Sequence, residues 1–472
     1  MSSEQINLTS ALPHESAAAA DTTVVPPRES GFGSVVGGTA IAVQVEANAN
    51  TSLGVVTLDS PHPLRDFNRY PPGNIHRLAY NTPTYENGES MTQTDMIAAY
   101  SRDSRWMEAH VQDRSRPGKH VIFTHHTVGT TMEPRIQAEL NGAGGNSLIV
   151  ARYHSPLLAE SRLFDPQFYA EAYGNDYGRE LWDLQRESLQ YMGLVVFSTD
   201  TQRRQSIEAV ARFGLLSHDV AEERFATLPI PLNFKDFSPD IDGSKRKTHI
   251  ENVNQLLQTV PRTDLNHIPQ ELLSPDDHIF GYVGRFDHEK GIWPLIDAYA
   301  DFLAAHKQVE GAKLGKLLAI GGLTNKPGIL ERHAQTLEKI KALPPHLQKY
   351  IVMPLVPAAH QDVIHAFDFQ VYNSLAETFD ISEKQARAAK KAVFITNIPA
   401  HMDTNIPGRT AYTYPFGDPR AYQTIFEAAM NPQMLAEIAR EGHKHAMESF
   451  SDLVVCEQMM DVLRGKYPAF FQ

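Results

Sequence analysis

Residues 281–291 carry the strongest chemical signal in the chain, Gly-Tyr-Val-Gly-Arg-Phe-Asp-His-Glu-Lys-Gly, between a predicted strand and an amphipathic helix. Gly284 lets the backbone approach a ligand closely, Arg285 offers a planar fork of donors, and Lys290 adds a mobile point charge. Two cations at the carboxyl end of a strand, beside a helix N-terminus, indicate a diphosphate site. The alternative is that both cations are surface residues and the glycines only form turns.

A second glycine-rich segment, 31–38, ends in Gly37 and Gly38 and lies between a predicted strand at 23–25 and a predicted helix at 39–47. Such a turn can lay its N–H groups on a phosphate, and a plain flexible loop is the alternative. The spacing differs from the dinucleotide fingerprint, and no acidic residue clearly follows a second strand. We therefore reject a nicotinamide role.

Strand-like and helix-like segments alternate along the chain, which predicts parallel sheets with right-handed crossover helices. The predicted parts are a flexible tail (1–22), an N-terminal domain (23–236), a connector (237–277), a C-terminal domain (278–449) and a final helix (450–472). Ligands of open α/β sheets bind beyond the carboxyl ends of the strands, so we expect a ligand cleft between the domains. The predicted strands are 53–58, 121–124, 148–152, 194–198, 279–283, 316–320, 350–354, 369–372, 392–396 and 411–414.

The composition limits the classes of function. A net charge of −13 argues against a broad cationic face, and so against nucleic-acid or anionic-membrane binding. No apolar run approaches the roughly 18 residues of a membrane span. Arg28 is the first basic residue, so the positively charged region of a signal peptide is missing. The single cysteine, Cys456, excludes an intrachain disulfide and a cysteine zinc site, and it fits a cytoplasmic location. The adjacent His125 and His126 would point to opposite faces of a strand, so we predict no metal site.

Several motifs of the C-terminal half, in order, resemble the retaining glycosyltransferases of the GT-B group, family 4. The pattern G-R-x-x-x-x-K-G-I at 284–292 resembles the donor site of that family, and Ala-Ile-Gly-Gly at 319–322 resembles its glycine turn. Val-Tyr-Asn-Ser-Leu-Ala-Glu-Thr-Phe at 371–379 resembles its strand and the P-S-x-x-E-x-F segment. Segments at 196–198, 228–239 and 391–395 agree as well, so the resemblance covers most of residues 190–450 and is weaker before that.

The resemblance implies an α/β fold of two Rossmann-like domains facing a cleft, the GT-B architecture. The N-terminal domain would lie on the acceptor side, the C-terminal domain would bind the nucleotide sugar, and the final helix would cross back to the first domain. The implied activity is transfer of a hexose, with retention of configuration, from a nucleotide-sugar donor to an unidentified acceptor. A UDP-sugar is favoured, and neither a metal nor another cofactor is expected. The oligomeric state is not predicted.

The resemblance also implies roles for the matching residues. Arg285 and Lys290 would hold the diphosphate and stabilise the departing nucleotide, and Glu377 would lie beside the donor sugar. The other implied donor contacts come from Gly37, Gly38 and Gly284 and from the backbone at Thr378, Phe379, Asp380 and Ile381. His154, after the strand 148–152, is the first candidate to contact the sugar or reacting centre, and His126 is the second. Each histidine could instead be satisfied in a loop or at the cleft wall.

The sequence departs from the family pattern in three places. Gln385 stands eight residues after Glu377, where the family has a ribose-binding glutamate. Glutamine can still bond a ribose hydroxyl, or it can close a capping box with Ser382; Glu383 is an alternative if the loop is shifted. Asp380 stands where the family commonly has glycine, which suggests a changed sugar preference or a rearranged loop. Pro-Ala-His at 399–401 replaces a glycine pair.

Other functions remain open at this point. A related enzyme could use the same cleft as a sugar phosphorylase or a nucleotide-sugar epimerase. A glycoside hydrolase would need two carboxylates that bracket the bond, for which Glu377 and Asp380 are poor candidates. A non-catalytic protein could retain the nucleotide-sugar pocket alone.

Overall fold

The structure, a computed structural model, is described here for strand segments 7–11, 55–59, 75–77, 119–126 and 146–153 and for scattered helical positions between 167 and 190. It is also described for 192–471 apart from 233, 241–242, 307–313, 324–327, 357–360 and 429–430. The chain divides into two compact units, Met1–Leu232 with Asp452–Gln472, and Asn233–Ser451. None of the helices in the described residues is long and apolar enough to cross a membrane.

The first unit contains a seven-stranded sheet in the order β3-β2-β1-β4-β5-β6-β7, and each neighbouring pair is parallel. Crossover connections are therefore required between its strands. The strands are β1 Asn7–Ala11, β2 Val55–Asp59, β3 Ile75–Arg77, β4 Lys119–His126, β5 Asn146–Tyr153, β6 Leu194–Phe197 and β7 Phe225–Thr227. Two helices follow β6, α1 Asp200–Arg212 and α2 His218–Arg224.

The prediction of a flexible tail over residues 1–22 is wrong for Asn7–Ala11. These residues form β1, which pairs through Leu8 with Val55 of β2 on one side and with Val121 of β4 on the other. Main-chain hydrogen bonds to both neighbours define this strand, and its mostly polar sequence carries no clear strand pattern. The predicted strand at 23–25 and the predicted helix at 39–47 lie outside the described residues.

The C-terminal helix belongs to the first unit. This helix, α12 Asp452–Lys466, buries Met459 and Leu463 in one cluster with Val150 and Val196. The main-chain N–H of Asp452 also donates to the carbonyl oxygen of Leu232 over 3.1 Å. The helix is thereby part of the hydrophobic core beside β5 and β6.

The second unit contains a six-stranded parallel sheet in the order β10-β9-β8-β11-β12-β13. Its strands are β8 Ile279–Val283, β9 Lys316–Ile320, β10 Ile351–Val352, β11 Phe369–Tyr372, β12 Ala392–Thr396 and β13 Tyr412–Tyr414. Four of them, β8, β9, β11 and β12, have the predicted bounds. The helices are α3 Arg246–Thr259, α4 Ile292–Ala305, α5 Ile329–Lys341, α6 Pro345–Gln348, α7 Gln361–Ala366, α8 Ile381–Ala388, α9 Pro399–Thr404, α10 Pro419–Ala428 and α11 Pro432–Phe450. A 3₁₀ turn at Lys235–Phe237 precedes them, and α13 Pro468–Phe471 ends the chain.

The prediction of a connector over 237–277 is wrong, because this segment packs within the second unit. In α3, Ile250, Val253 and Leu257 form an apolar face that is buried with Ile279 and Val283 of β8. This face has the i, i+3, i+7 spacing of an amphipathic helix. The division between the units therefore falls after Leu232 and not at residue 236.

Replacing Leu463 by alanine should destabilise the first unit. Its side chain is fully buried beside β5 and β6, so the substitution removes apolar contacts and leaves a cavity. We expect a loss of about 2–5 kcal/mol in the free energy of unfolding, measured by urea denaturation. Leu453→Ala, on the same helix but 64% exposed, should change it by less than about 0.5 kcal/mol. Equal losses in the two variants would contradict the packing of α12 described here.

Candidate active site

Two loops leave the second sheet side by side. The β8 loop (284–291) and the β11 loop (373–380) follow strands that are paired in parallel. The side-chain amide of Asn373 in the β11 loop donates to the carbonyl oxygen of Gly291 in the β8 loop over 2.6 Å. The two loops are therefore tied together at the carboxyl end of the sheet, where open α/β sheets bind ligands.

Close packing explains the two glycines of the β8 loop. Gly291 has a left-handed backbone, with φ of 60°, and a Cβ there would collide with the carbonyl oxygen of Asn373. A Cβ at Gly284 would lie 2.9 Å from the hydroxyl oxygen of Tyr282. That hydroxyl donates to the carbonyl oxygen of Arg285 over 2.8 Å and so holds the loop. The predicted contact between Gly284 and a donor stays a prediction.

Lys290 and Glu377 form an ion pair that joins the β8 loop to the β11 loop. The same carboxylate oxygen of Glu377 accepts a hydrogen bond from the hydroxyl of Ser374 over 2.7 Å. Burial alone would lower the pKa of Lys290, but the negative charges of Glu377 and Asp380 outweigh it, so this pKa is raised. Lys290 is thus a fixed cation between the two loops, and its contact with a diphosphate stays a prediction.

Arg285 is the more accessible of the two cations, since 49% of its side chain is exposed. Its guanidinium lies 3.2 Å from the carboxylate of Asp287 and 4.0 Å from that of Glu289. Asp287 is fully buried, and its other oxygen accepts from the main-chain N–H of Lys290 over 2.9 Å. The Asp287 side chain therefore holds the guanidinium of Arg285 and the main chain of Lys290 within one loop. The half-exposed guanidinium can still meet an incoming anion.

Asp380 begins α8 and corrects one interpretation of the sequence. Its backbone is left-handed, with φ of 56° and ψ of 80°, and its carboxylate accepts from the main-chain N–H of Glu383 over 3.4 Å. The hydroxyl of Ser382 donates to the same oxygen over 3.1 Å. The predicted capping box of Ser382 and Gln385 is therefore wrong, because the helix starts earlier and Asp380 is its N-cap. Gln385 is largely buried within α8, and its ribose contact stays a prediction.

The carboxylate of Asp380 also faces His401, with Oδ2 3.4 Å from Nε2 of the imidazole. Burial would raise the pKa of Asp380, but the charge of Lys290, the hydrogen bond with His401 and the charge of Lys384 hold it well below its usual range. Two departures from the family pattern, at 380 and at 399–401, are therefore in contact. The sequence showed only that each position lacks the glycine of the family pattern, and it did not show that Asp380 and His401 are in contact.

A network of fully buried charges supports α8 from the side of the core. Glu383 pairs with Lys384 over 2.6 Å and with Arg387 over 2.7 Å. Lys384 also donates to the carbonyl oxygen of Phe379, and Arg387 donates to Nδ1 of His445 over 3.0 Å. Glu383 is fully buried and paired with these two cations, so the structure excludes it as the alternative ribose contact.

The rest of the β11 loop leads directly into α8. Thr378 and Ile381 are partly buried. The ring of Phe379 is buried and packs edge-to-face on Phe450, with 5.5 Å between the centroids. The ring of Phe379 is therefore not available to a ligand, in line with the backbone role predicted for this residue. That role and those of Thr378 and Ile381 stay predictions.

Four predicted site residues cannot be placed beside these loops. Gly37, Gly38 and His154 lie outside the described residues, and His126 is described only through its backbone, as the last residue of β4. The strand therefore continues through His126 and does not stop at residue 124. Within the described part of the chain, no three His, Cys, Asp or Glu side chains are grouped to hold a metal ion.

Comparison with known proteins gives one partial relative by sequence. No protein-family model matches the chain. The capsular polysaccharide biosynthesis glycosyltransferase CapM of Staphylococcus aureus is 27% identical over 185 residues. The match covers 39% of this chain and 45% of CapM, so it spans less than half of either protein.

Solved structures resemble nearly the whole chain. Sucrose-phosphate synthase from Thermosynechococcus elongatus has a TM-score of 0.64 at 16% identity, covering 98% of this chain and 100% of that one. HepE of Anabaena, in complex with UDP-glucose, has a TM-score of 0.60 at 14% identity, covering 97% and 99%. The chain has the GT-B fold. The predicted α/β class with Rossmann-like domains is confirmed for this GT-B protein.

His445 should make the GT-B fold less stable in acid. Burial, and then the positive charge of Arg387, lower the pKa of His445 to about 4 from 6.5. The unfolded chain binds this proton more readily, so stability is lost as the pH falls from about 6.5 towards 4. We expect the Tm of the wild type to fall several degrees further over this window than that of His445→Asn, which keeps an acceptor for Arg387.

The matched control is His443→Asn on the same helix, which should retain the pH dependence of the wild type. Parallel Tm curves for the wild type and His445→Asn, measured by calorimetry, would show that His445 does not control this loss.

Proposed function

We propose that this protein is a glycosyltransferase that moves a hexose from a nucleotide-sugar donor, preferably a UDP-sugar, to an acceptor with retention of configuration. The observation that carries the proposal is the meeting of Arg285, Lys290 and Glu377 at the ends of adjacent strands. Two cations and a carboxylate beside a helix N-terminus suit the diphosphate and the sugar of one molecule. The similarity to CapM, and the UDP-glucose complex of HepE, support this class of donor.

The diphosphate would bind to cations that are already paired with carboxylates. Arg285 lies beside Asp287, and Lys290 is paired with Glu377. Because both side chains are positioned before the donor arrives, little side-chain entropy is lost on binding. The diphosphate would compete with these carboxylates, and its larger charge would favour the exchange.

The sugar would lie against Glu377 and the start of α8. The first N–H groups of a helix have no partner within it, and the helix dipole favours negative charge there. Asp380 caps the N–H of Glu383, so the main chain of 378–381 is the part of this terminus proposed to meet the donor. His154 and the glycines 37 and 38 remain part of the proposal from the sequence.

The reaction would break the bond between the anomeric carbon and the donor phosphate oxygen. The acceptor oxygen would bond to the same face of that carbon, and its proton would pass to the departing diphosphate. Arg285 and Lys290 would stabilise the charge that develops on this leaving group. The proposed scheme uses neither a protein nucleophile nor a metal ion. We also propose a cytoplasmic location for the protein, which rests on the single cysteine of the sequence.

Thermal unfolding with UDP, GDP, ADP and CDP, each with and without magnesium, tests the donor site. At about 100 times its Kd, the correct nucleotide should raise the Tm by roughly 5 °C, because it binds only the folded state. We expect UDP to give this shift without magnesium, and Arg285→Ala to abolish most of it.

Arg409→Ala is the matched control, since Arg409 is an exposed arginine of the same unit that pairs with Glu441. This variant should retain the full shift. No shift with any of the four nucleotides at millimolar concentration would contradict a nucleotide-sugar donor. A shift that needs magnesium would contradict the metal-independent scheme.

Glu377→Gln should separate nucleotide binding from transfer. Glutamine cannot neutralise Lys290, so UDP should bind at least as tightly as to the wild type. Release of UDP from the matching UDP-sugar should fall by about 100-fold, because a group acting on the sugar in the transition state is lost. Glu289→Gln, which alters an exposed carboxylate 4.0 Å from Arg285, should retain most of the rate. An unchanged rate in Glu377→Gln would remove Glu377 from the proposed mechanism.

A further inference from the structure

Asp380 holds a backbone conformation that residues with a side chain rarely adopt. Its φ is 56°, and Lys390 is the other non-glycine residue with a positive φ in the described part of the chain. Such a conformation is strained for a residue other than glycine. It persists only where the surrounding structure supports it, so the contacts of Asp380 need an explanation.

Each carboxylate oxygen of Asp380 has its own partners. Oδ1 accepts from the first turn of α8, at Ser382 and Glu383, and these bonds are local. Oδ2 faces Nε2 of His401, which comes from α9 and is fully buried. His401, on α9, therefore supports the strained residue Asp380 from outside the first turn of α8.

The ring of His401 is itself held in place. Its Nδ1 lies 2.9 Å from the carbonyl oxygen of Thr396, at the end of β12. The hydroxyl of Thr396 donates to the carbonyl oxygen of Ser374 over 2.6 Å, and Ser374 in turn donates to Glu377. One chain of contacts thus links the beginning of the β11 loop, through Thr396 and His401, to Asp380 at its end.

We propose that His401 is a positioning residue of the donor site, which acts through Asp380 to hold the β11 loop in the left-handed turn that presents residues 377–381 to the donor. This inference rests on the proposed function for the identity of the ligand. The two residues act together: Asp380 supplies the turn and the helix cap, and His401 keeps the carboxylate of Asp380 in place. Glycine at position 380 would adopt the same φ without this support.

A double-mutant cycle on His401→Ala and Asp380→Gly tests the proposal, with UDP as the probe and calorimetry as the measurement. With Asp380 present, His401→Ala should weaken UDP binding about tenfold, and in the Asp380→Gly background it should weaken binding less than about twofold. Asp380→Gly alone should bind UDP more tightly than His401→Ala does, because glycine accepts the positive φ without the support of His401. His401→Gln, whose amide can donate to Asp380, should restore most of the affinity.

The control is His267→Ala. The ring of His267 also bonds a carbonyl oxygen, that of Gln348, but its main chain pairs with Met353, just after β10 at the edge of the sheet away from β12. Its effect on UDP binding should be small and equal in both backgrounds. A comparison of Asp380→Ala with Asp380→Gly gives a test independent of the folding of His401→Ala. Both variants lack the carboxylate, but only glycine tolerates the left-handed turn, so Asp380→Ala should bind UDP more weakly than Asp380→Gly.

Three outcomes would overturn the proposal while wild-type UDP binding persists. One is an equal loss of affinity from His401→Ala in both backgrounds. Another is a lower Tm in His401→Ala with unchanged UDP affinity, which would mark a purely structural residue. The third is Asp380→Gly binding as weakly as His401→Ala, which would mean that the carboxylate itself contacts the ligand. Absence of UDP binding to the wild type would instead contradict the proposed function, and the positioning role with it.

Discussion

The ion pair between Lys290 and Glu377 is the interaction on which the candidate site depends. It joins side chains 87 residues apart in sequence, from loops that follow different strands. Their side chains are only 21% and 8% exposed, so each charge needs the other, since a buried charge without a partner costs several kcal/mol. The pair therefore fixes the β8 and β11 loops together before any ligand arrives, and the contacts of Asn373 and Ser374 reinforce the same arrangement.

The order of the strands makes this pair possible. From β8 the chain builds β9 and β10 on one side of the sheet, and then returns to build β11, β12 and β13 on the other. Strands β8 and β11 are neighbours although they are distant in sequence, and their loops lead into α4 and α8. Such a change in winding direction opens a crevice at the carboxyl ends of the strands, which is where doubly wound sheets bind nucleotides.

The sequence predicted the second sheet well because its strands are buried on both faces and appear as short apolar runs between turns, as in Ala392–Thr396. It did not predict Asn7–Ala11, which is held by main-chain bonds to both neighbours. For the site, spacing and resemblance identified the cations and Glu377 separately. Their pairing, and the contact of Asp380 with His401, are tertiary contacts between distant segments, which no local pattern encodes.

In the proposed function, the charge balance around the two cations would limit how tightly a diphosphate binds. Arg285 and Lys290 are surrounded by the carboxylates of Asp287, Glu289 and Glu377, and the charge of Asp380 also acts on Lys290. Binding a diphosphate is then an exchange of anionic partners, and only the difference between the two sets contributes to affinity. That limit suits a transferase. Cations that held donor and nucleotide product equally tightly would not speed the chemical step and would slow product release. In the proposed reaction, carboxylates to which the cations return would weaken the hold on the product, while the charge that develops on the leaving group would still meet both cations.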